Sequence, residues 1–573
     1  MVREEKMISL FTADAQVGLK RKDFIWMLVF TAIFAVMVFW NLGSHAAPET
    51  YETFTVGEQG HNEIVLNFDR QIDVARVWIF LGGESKREIS FSYWDIGDTQ
   101  WNVLEDSHVV ESVYCWNAMD INHTATSLGL VLMKDKAYIN EIVIVDTQGN
   151  KIIPSNATAY PELFDEQKLF PNIPSYYNQT MFDEVYHART AYEFLHHLPI
   201  YENTHPPLGK TLISLGIRWF GMNPFGWRFI CAVCGCLMVP VFYIWAYRML
   251  GGTMTACFVC ILYETGFMTL TLSRIATIDI IVALFVVLMF AFMYGVVQHI
   301  KGFPPVRKTL PWMLCCGISM GLAVATKWTG VYAAVGIAII FFYFLFGELS
   351  GFRGIREHSA YLIRLAGACV VCFIAIPLVI YVCSYVPFAQ VYTDKGLIGH
   401  AISNGQLMLA YHSKTIFDHP YSSQWYEWLI DKRPLWESAA YLPDGTVRSV
   451  ATFGNPLILW TGLAAVLHQI YLWIRKKNRI SAYLVIAYAS VLVPWMFIKR
   501  TVFIYQYFLG ILILILMLAY SFSLLKRKRL WMTLFAAVNI GLCIMYYPVL
   551  TGLPVNVDFV NKVLEMLPSW SFA

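Results

Sequence analysis

Asp183 and Glu184 stand side by side in Phe182-Asp183-Glu184-Val185-Tyr186-His187, and His205-Pro206-Pro207-Leu208-Gly209-Lys210 follows shortly after. Adjacent carboxylates at a membrane surface are costly unless they are paired or do chemistry. A carboxylate held there can take the proton of a hydroxyl while a new bond forms, which is general-base work. The competing structural role for Asp183 is that of a helix N-cap. Arg274, Lys327 and the pair Lys499-Arg500 lie in short stretches within or beside apolar runs. Snorkelling or local helix pairing explains one such residue. Four on one face point to a shared anion, and a lipid-linked phosphate is the natural candidate at that depth.

These residues sit in a chain built for the bilayer. Of 573 residues, 57% are hydrophobic and 14% charged, with a mean hydropathy of +0.51. Soluble domains carry about 25% charged residues. The basic residues form short runs between apolar segments, which gives no nucleic-acid footprint. Eleven segments have spanning character: 24–42, 227–247, 254–272, 278–297, 310–326, 330–346, 361–386, 455–473, 480–498, 501–525 and 530–548. Lys20-Arg21-Lys22, Arg248, Lys301, Arg307-Lys308, Arg353, Arg356, Arg475-Lys476-Lys477 and Lys526-Arg527-Lys528-Arg529 then fall on one side. The positive-inside rule makes that side cytoplasmic. The expected arrangement is an integral membrane protein, in the plasma membrane if the source is bacterial. Its first span is uncleaved, its N-terminus is inside, and Asp183 is on the extracytoplasmic face.

That topology divides the chain into a first span (1–44), an inserted polar domain (45–165), an outer loop with Asp183 (166–226), spans two to seven (227–386), a second outer loop (387–454) and spans eight to eleven (455–573). In the inserted domain acidic residues outnumber basic ones. Segments 63–68, 75–80, 89–93, 127–132 and 139–145 alternate apolar and polar residues with β-branched and aromatic enrichment. They predict short strands of a β-sandwich, with a weak similarity of pattern to discoidin-like and carbohydrate-binding jelly rolls. Trp94, Trp101 and Trp116 lie in or near its loops, where they either stack on sugars or fill the core. Cys231, Cys234 and Cys236 fall inside a span and are read as packing residues rather than metal ligands. After Asp183, apolar residues recur at helical spacing to Leu195, and a second amphipathic helix is expected over 208–220. Both are expected to lie on the membrane surface and to hold Asp183 at the edge of a cavity.

Five segments together resemble the protein O-mannosyltransferase family of GT-C membrane glycosyltransferases: Asp183-Glu184, His205 to Lys210, Ser273-Arg274-Ile275-Ala276-Thr277-Ile278-Asp279, Gly321 to Gly330 with Lys327-Trp328, and His419-Pro420-Tyr421-Ser422-Ser423 followed by Trp425, Trp428 and Arg433. The resemblance implies an inverting transfer of a sugar, mannose first, from a polyprenyl-phosphate carrier to a hydroxyl of protein Ser or Thr. It implies Asp183 and Glu184 as catalytic residues and Arg274, Lys327, Arg433, Lys499 and Arg500 at the donor phosphate. His187, His205, Asp279, His419, Ser422 and Trp425 are then expected to shape the acceptor cavity. No cofactor is implied beyond the lipid-linked donor; a divalent metal on Glu184 and His419 is an option that spacing does not argue for. Two alternatives differ in class: a GT-C enzyme acting on a lipid or cell-wall polymer, as aminoarabinose transferases do, and a sugar-lipid binder or transporter without chemistry. The inserted domain departs from the family pattern, in which that link is short.

Overall fold

The computed structural model describes residues 18–55, 62–83, 87–104, 108–110, 112–132, 136–349, 351–414 and 416–573. Helix α1, Arg21–Phe39, leads into the inserted domain, strands β1 (Glu52–Thr55), β2 (Asn62–Gly82), β3 (Arg87–Trp94), β4 (Asn102–Val103), β5 (His108–Val110), β6 (Trp116–Leu132), β7 (Lys136–Asp146) and β8 (Lys151–Ile152). Two shorter helices follow, α2 (Glu184–His196) and α3 (Leu208–Phe220). The bundle then comprises α4 (Pro224–Gly251), α5 (Thr253–Glu264), α6 (Phe267–Ser273), α7 (Ile278–His299), α8 (Leu310–Thr326), α9 (Thr329–Leu349) and α10 (Ser359–Val391). Segment 387–454 contributes α11 (Leu397–Lys414) and a hairpin of β9 (Leu435–Tyr441) and β10 (Thr446–Thr452). Helices α12 (Pro456–Lys476), α13 (Arg479–Phe497), α14 (Ile504–Ser523) and α15 (Lys528–Thr551) complete the bundle, and β11 (Pro554–Asn556) pairs with β10.

Among the described residues, nine helices are long and apolar enough to cross a membrane. The pair α5 and α6, bent by 63°, makes a tenth, and α8, at 17 residues, is a shorter apolar helix. All eleven expected segments therefore correspond to apolar helix, and the chain is a polytopic helical membrane protein with an inserted sheet domain.

The sheet domain differs from the expected sandwich in one respect. Its strands form one continuous antiparallel sheet, ordered β1-β7-β2-β6-β3-β4, with β5 on β3 and β8 on β7. Segments 63–68 and 75–80 belong to a single long strand, whose pairing with β6 shifts register between Asn67 and Ile72 and again between Val74 and Arg76. Bulges of this kind bend a strand and raise its twist. Ile64, Leu66, Val77, Ile79, Phe91, Leu130 and Ile142, from both ends of the sheet, accordingly share one core. Phe80, Trp116 and Val143 belong instead to the core that runs through the membrane bundle. Trp116 is buried with its ring edge-on to Phe80 and Phe170, so it is a packing residue, whereas Trp94 and Trp101 form a half-buried pair.

The back of the sheet holds the loop that carries Asp183. Thr180 donates its amide to the Tyr114 carbonyl at 3.0 Å and its hydroxyl to the Val113 carbonyl at 2.9 Å. Gln179 accepts from the Trp116 amide at 3.0 Å.

Segment 387–454, read from sequence as an outer loop, carries regular structure in its described residues. Its hairpin turns at Leu442-Pro443-Asp444-Gly445, with Gly445 at φ 77° and the Asp444 carboxylate accepting from the Thr446 amide. This is turn chemistry, with a pre-set φ at Pro, a local acceptor at Asp and left-handed backbone at Gly.

Candidate active site

Asp183 precedes α2, but its side chain makes no capping hydrogen bond to that helix. Its carbonyl, not its carboxylate, accepts from Tyr186 and His187. Phe182 before it has φ 46°, a left-handed conformation that a bulky residue adopts only when its surroundings impose it. The Phe182 ring packs edge-on against Phe503 and Tyr505, and this packing aims the next residue. Burial pushes the Asp183 carboxyl up to about 7; Lys327 pulls it down, while Asp279 and Glu202 push it up further. A group balanced near neutrality between a cation and two carboxylates is suited to accept a proton.

Glu184 occupies a different place from the one expected of a catalytic partner. It is fully buried, and its carboxylate takes Arg228 bidentately, from Nε at 2.7 Å and Nη2 at 2.6 Å. The same oxygens accept the amides of Met181 at 3.0 Å and Ala276 at 2.8 Å. Arg228 also donates to the carbonyls of Leu42 and Gln179. Glu184 therefore ties the Asp183 turn to α4 and to the loop before α7. With four donors on two oxygens it has no valence left for a metal, and the Glu184–His419 ligand pair is not formed. Nδ1 of His419 accepts from the Tyr421 amide, and its ring stacks edge-on against Phe503. Among the described residues, the carboxylate group spaced for a metal is Glu141, Asp165 and Glu166, which belongs to the sheet domain and its outgoing link.

Arg274, expected at the donor phosphate, is held by backbone carbonyls. Its guanidinium is buried and donates to the carbonyls of Met37, Val38, Trp40, Asn41 and Thr551. Five carbonyl acceptors at the end of α1 and of α15 spend its donors on helix packing rather than on an anion. Arg433 donates to the carbonyls of Pro420 and Ser422 and so fixes the turn that contains Ser422. Trp425 opens a short helical turn whose Trp428 is buried.

Lys327 and Asp279 do come together with Asp183. Lys327 ends α8, Asp279 lies in the first turn of α7, and Nζ meets the two carboxylate oxygens at 2.8 and 3.0 Å. The Lys327 ammonium also lies 5.4 Å from the Tyr505 ring centroid. Gly330 permits this geometry: a Cβ there would lie 2.8 Å from the Ala323 carbonyl carbon, so α9 can fold back closely on α8 only with glycine.

The histidines gather at one side. The rings of His187 and His205 are 6.2 Å apart, and His205 stacks on His412 at 5.2 Å. Burial lowers His187 and His412 to about 4 and holds His205 well below its ordinary value, with Lys327 adding to each. All three are therefore neutral near pH 7. Beneath them Lys210 of the His205–Lys210 segment pairs with buried Glu202. Burial alone would raise Glu202, but Lys210 and His187 outweigh it and keep it at about 2.

Arg500 forms no ion pair among the described residues, while its charge acts on both Tyr411 and His412. Lys499 beside it is exposed. Glu202, His412, Tyr505 and Glu437 were not singled out by sequence reasoning. Their signal was weak: polar residues in segment 387–454, in the link between α2 and α3 or, for Tyr505, in the first turn of α14, with no motif around them. Burial raises Glu437 to about 8, with Asp183 among the neighbours that push it up.

Comparison with known proteins bears on the family of the chain. Residues 172–393 match the family described as dolichyl-phosphate-mannose-protein mannosyltransferase, and residues 400–570 match the C-terminal four-span region of protein O-mannosyltransferase. The sheet domain lies outside both matches. A polyprenol-phosphate-mannose–protein mannosyltransferase of Mycolicibacterium smegmatis is 26% identical over 68% of this chain and 87% of its own. One of the same name from Corynebacterium glutamicum is 24% identical over 64% and 81%. A chain of the S. cerevisiae protein O-mannosyltransferase Pmt1-Pmt2 complex, solved bound to the sugar donor, superposes with TM-score 0.60 at 12% identity, covering 69% of this chain and 89% of that one. Two matches that together take in α2, α3 and nearly all the later spans, on a helical framework shared with the yeast structure, show that the chain belongs to the protein O-mannosyltransferase family and has its GT-C fold.

Proposed function

We propose that the chain transfers mannose from a polyprenyl-phosphate carrier to a Ser or Thr hydroxyl of a protein, with inversion at the anomeric carbon, on the extracytoplasmic face. The observation that carries this reading is the uncapped Asp183 carboxylate, held near neutrality beside the Lys327–Asp279 pair. Asp183 takes the hydroxyl proton as the acceptor oxygen attacks the anomeric carbon. The bond from that carbon to the phosphate oxygen breaks on the opposite side, and its electron pair leaves with the polyprenyl phosphate. Arg500, without an ion pair among the described residues, meets the developing phosphate charge; Lys327 supports it while Asp279 keeps the ammonium aimed. The neutral imidazoles of His187, His205 and His412 supply hydrogen bonds to sugar hydroxyls without adding charge. The mannose assignment rests on the names of the relatives.

Beside this cluster, Val324, Trp328, Phe373, Pro377, Tyr381 and Leu409 line an apolar groove of about 610 Å³. Trp328 is adjacent to Lys327, so a prenyl chain lying in the groove would deliver its phosphate to the cations. The orientation follows the distribution of Lys and Arg, which places the Arg21 end of α1 in the cytoplasm. Residues 45–165 act as a separate unit that braces the catalytic turn. No step is assigned to a metal, because the oxygens of Glu184 are committed to Arg228 and two amides.

The test is transfer from radiolabelled polyprenyl-phosphate mannose to a Ser/Thr peptide by the purified protein in lipid nanodiscs, followed by mass spectrometry of the product. Label in the peptide with a mass gain of one hexose is expected. Label recovered only in lipid or polymer would replace the protein acceptor.

A further inference from the structure

At the end of the bundle opposite Asp183, α1, α4, α5, α7 and the start of α15 enclose a second cavity of about 1340 Å³. Among the described residues, five cations line it, Lys20, Lys22, Arg248, Lys528 and Arg529, and no carboxylate does. The carboxylate of Asp23 is buried and already satisfied, accepting from the Tyr243 and Thr253 hydroxyls and the Lys20 amide. The deeper walls are apolar, among them Phe30, Ile261, Leu288 and Phe292. The backbone opens here: α4 ends in a π-helical turn, Tyr247–Gly251, and Gly251 and Gly252 follow at φ 81° and 86°. Such distortions of an α-helix are concentrated at functional sites.

Cations at the mouth and apolar walls within fit a ligand with a negative head and a hydrocarbon body. Basic pockets between spans at this level of a membrane take phosphate headgroups. We propose that this cavity seats an anionic phospholipid, its headgroup phosphate on Arg248, Lys22 and Lys528 and its acyl chains against the apolar walls. The site is distinct from the donor site, which lies at the other end of the spans. Only the naming of its leaflet, the cytoplasmic one, rests on the proposed orientation.

The test uses the full chain in phosphatidylcholine nanodiscs, with lipid exchange followed by native mass spectrometry. Dioleoyl phosphatidylglycerol should bind about tenfold or more tightly than phosphatidylcholine at low salt, and salt should erode the difference. The triple variant Lys22→Gln, Arg248→Gln, Lys528→Gln should bring the two lipids within about threefold. Ala291→Trp, which fills the cavity and leaves the cations in place, should lose phosphatidylglycerol equally. Glycerol phosphate, the soluble headgroup, should compete poorly because it lacks the acyl chains. Equal retention of both lipids by the wild-type chain, which needs no variant to fold, overturns the proposal. So does a phosphatidylglycerol preference that survives Ala291→Trp, which would reduce it to general attraction by surface charge. Displacement of phosphatidylglycerol by a tenfold lower concentration of undecaprenyl phosphate would reassign the cavity to the carrier lipid.

Discussion

Asp183→Asn separates a catalytic carboxylate from a structural one. The side chain does not cap α2, so its loss leaves no amide of that helix unpaired. Loss of a general base costs about 10²–10⁴ in rate, equivalent to ~3–5 kcal/mol of barrier. The wild-type pH profile provides a second readout. With Asp183 held at about 7, some ~10% of the enzyme carries the ionised base at pH 6 and ~90% at pH 8. Transfer under kcat/KM conditions should therefore rise roughly tenfold over that interval, whereas an ordinary carboxylate near 3.9 would give a flat profile. The linkage has a definite sign. Because the folded-state value is raised, the stability contributed by protonated Asp183 is full below about 4 and is lost as pH rises through about 7. The Asn variant should then unfold at the same or a higher temperature than wild type at pH 8, and the two should converge as pH falls towards about 4. The assay is nanodisc transfer with a fixed peptide, with donor affinity measured separately. Turnover by Asp183→Asn within threefold of wild type would refute the assignment. A flat wild-type profile between pH 6 and 8, with chemistry shown to limit the rate, would refute it equally.

Glu184→Gln and Arg228→Gln should each lower thermal stability, since breaking a buried ion pair costs about 3–5 kcal/mol; an Glu184→Gln chain that melts like wild type but has no activity would restore Glu184 to the chemistry. Arg500→Gln should weaken donor binding, read as a raised KM, while Lys327→Met should mainly lower kcat and move the midpoint of the pH profile upward, because Lys327 pulls Asp183 down. Identical effects of the two variants on KM and on pH would show that their roles are not divided in this way. Removal of residues 45–165 should reduce transfer to a short peptide and to a full protein acceptor alike, because the Thr180 and Gln179 contacts that set the Asp183 turn are lost. Selective loss of the protein acceptor would identify the domain as a docking module instead.

The spans were legible because the bilayer imposes a length and a composition, and helices α2 and α3 because their apolar spacing is helical and Pro199 and Pro207 punctuate them. The strands were legible by alternation, but the register shifts that join two predicted strands into β2 leave no sign in a period-two pattern. The functional residues divide along a physical line. A charged residue in an apolar segment announces that something must compensate it, yet the type and spacing of residues cannot say whether the compensation is a substrate or another part of the chain. Arg274 and Glu184 carried the same signal as Lys327 and Asp183. Five carbonyls answer Arg274, and Arg228 with two amides answers Glu184. Apart from the Met181 amide, those partners lie far away in sequence, at the ends of α1, α4 and α15 and in the loop before α7, where no local pattern can point to them. What distinguishes Asp183 and Arg500 is that the Asp183 side chain does not cap α2 and the Arg500 guanidinium has no ion pair among the described residues, while Lys327 is shared between Asp279 and the carboxylate it tunes. The two neighbouring carboxylates thus divide the work expected of a pair. On the proposed mechanism Glu184, paired with Arg228, fixes the turn, and Asp183, left under-compensated, takes the proton.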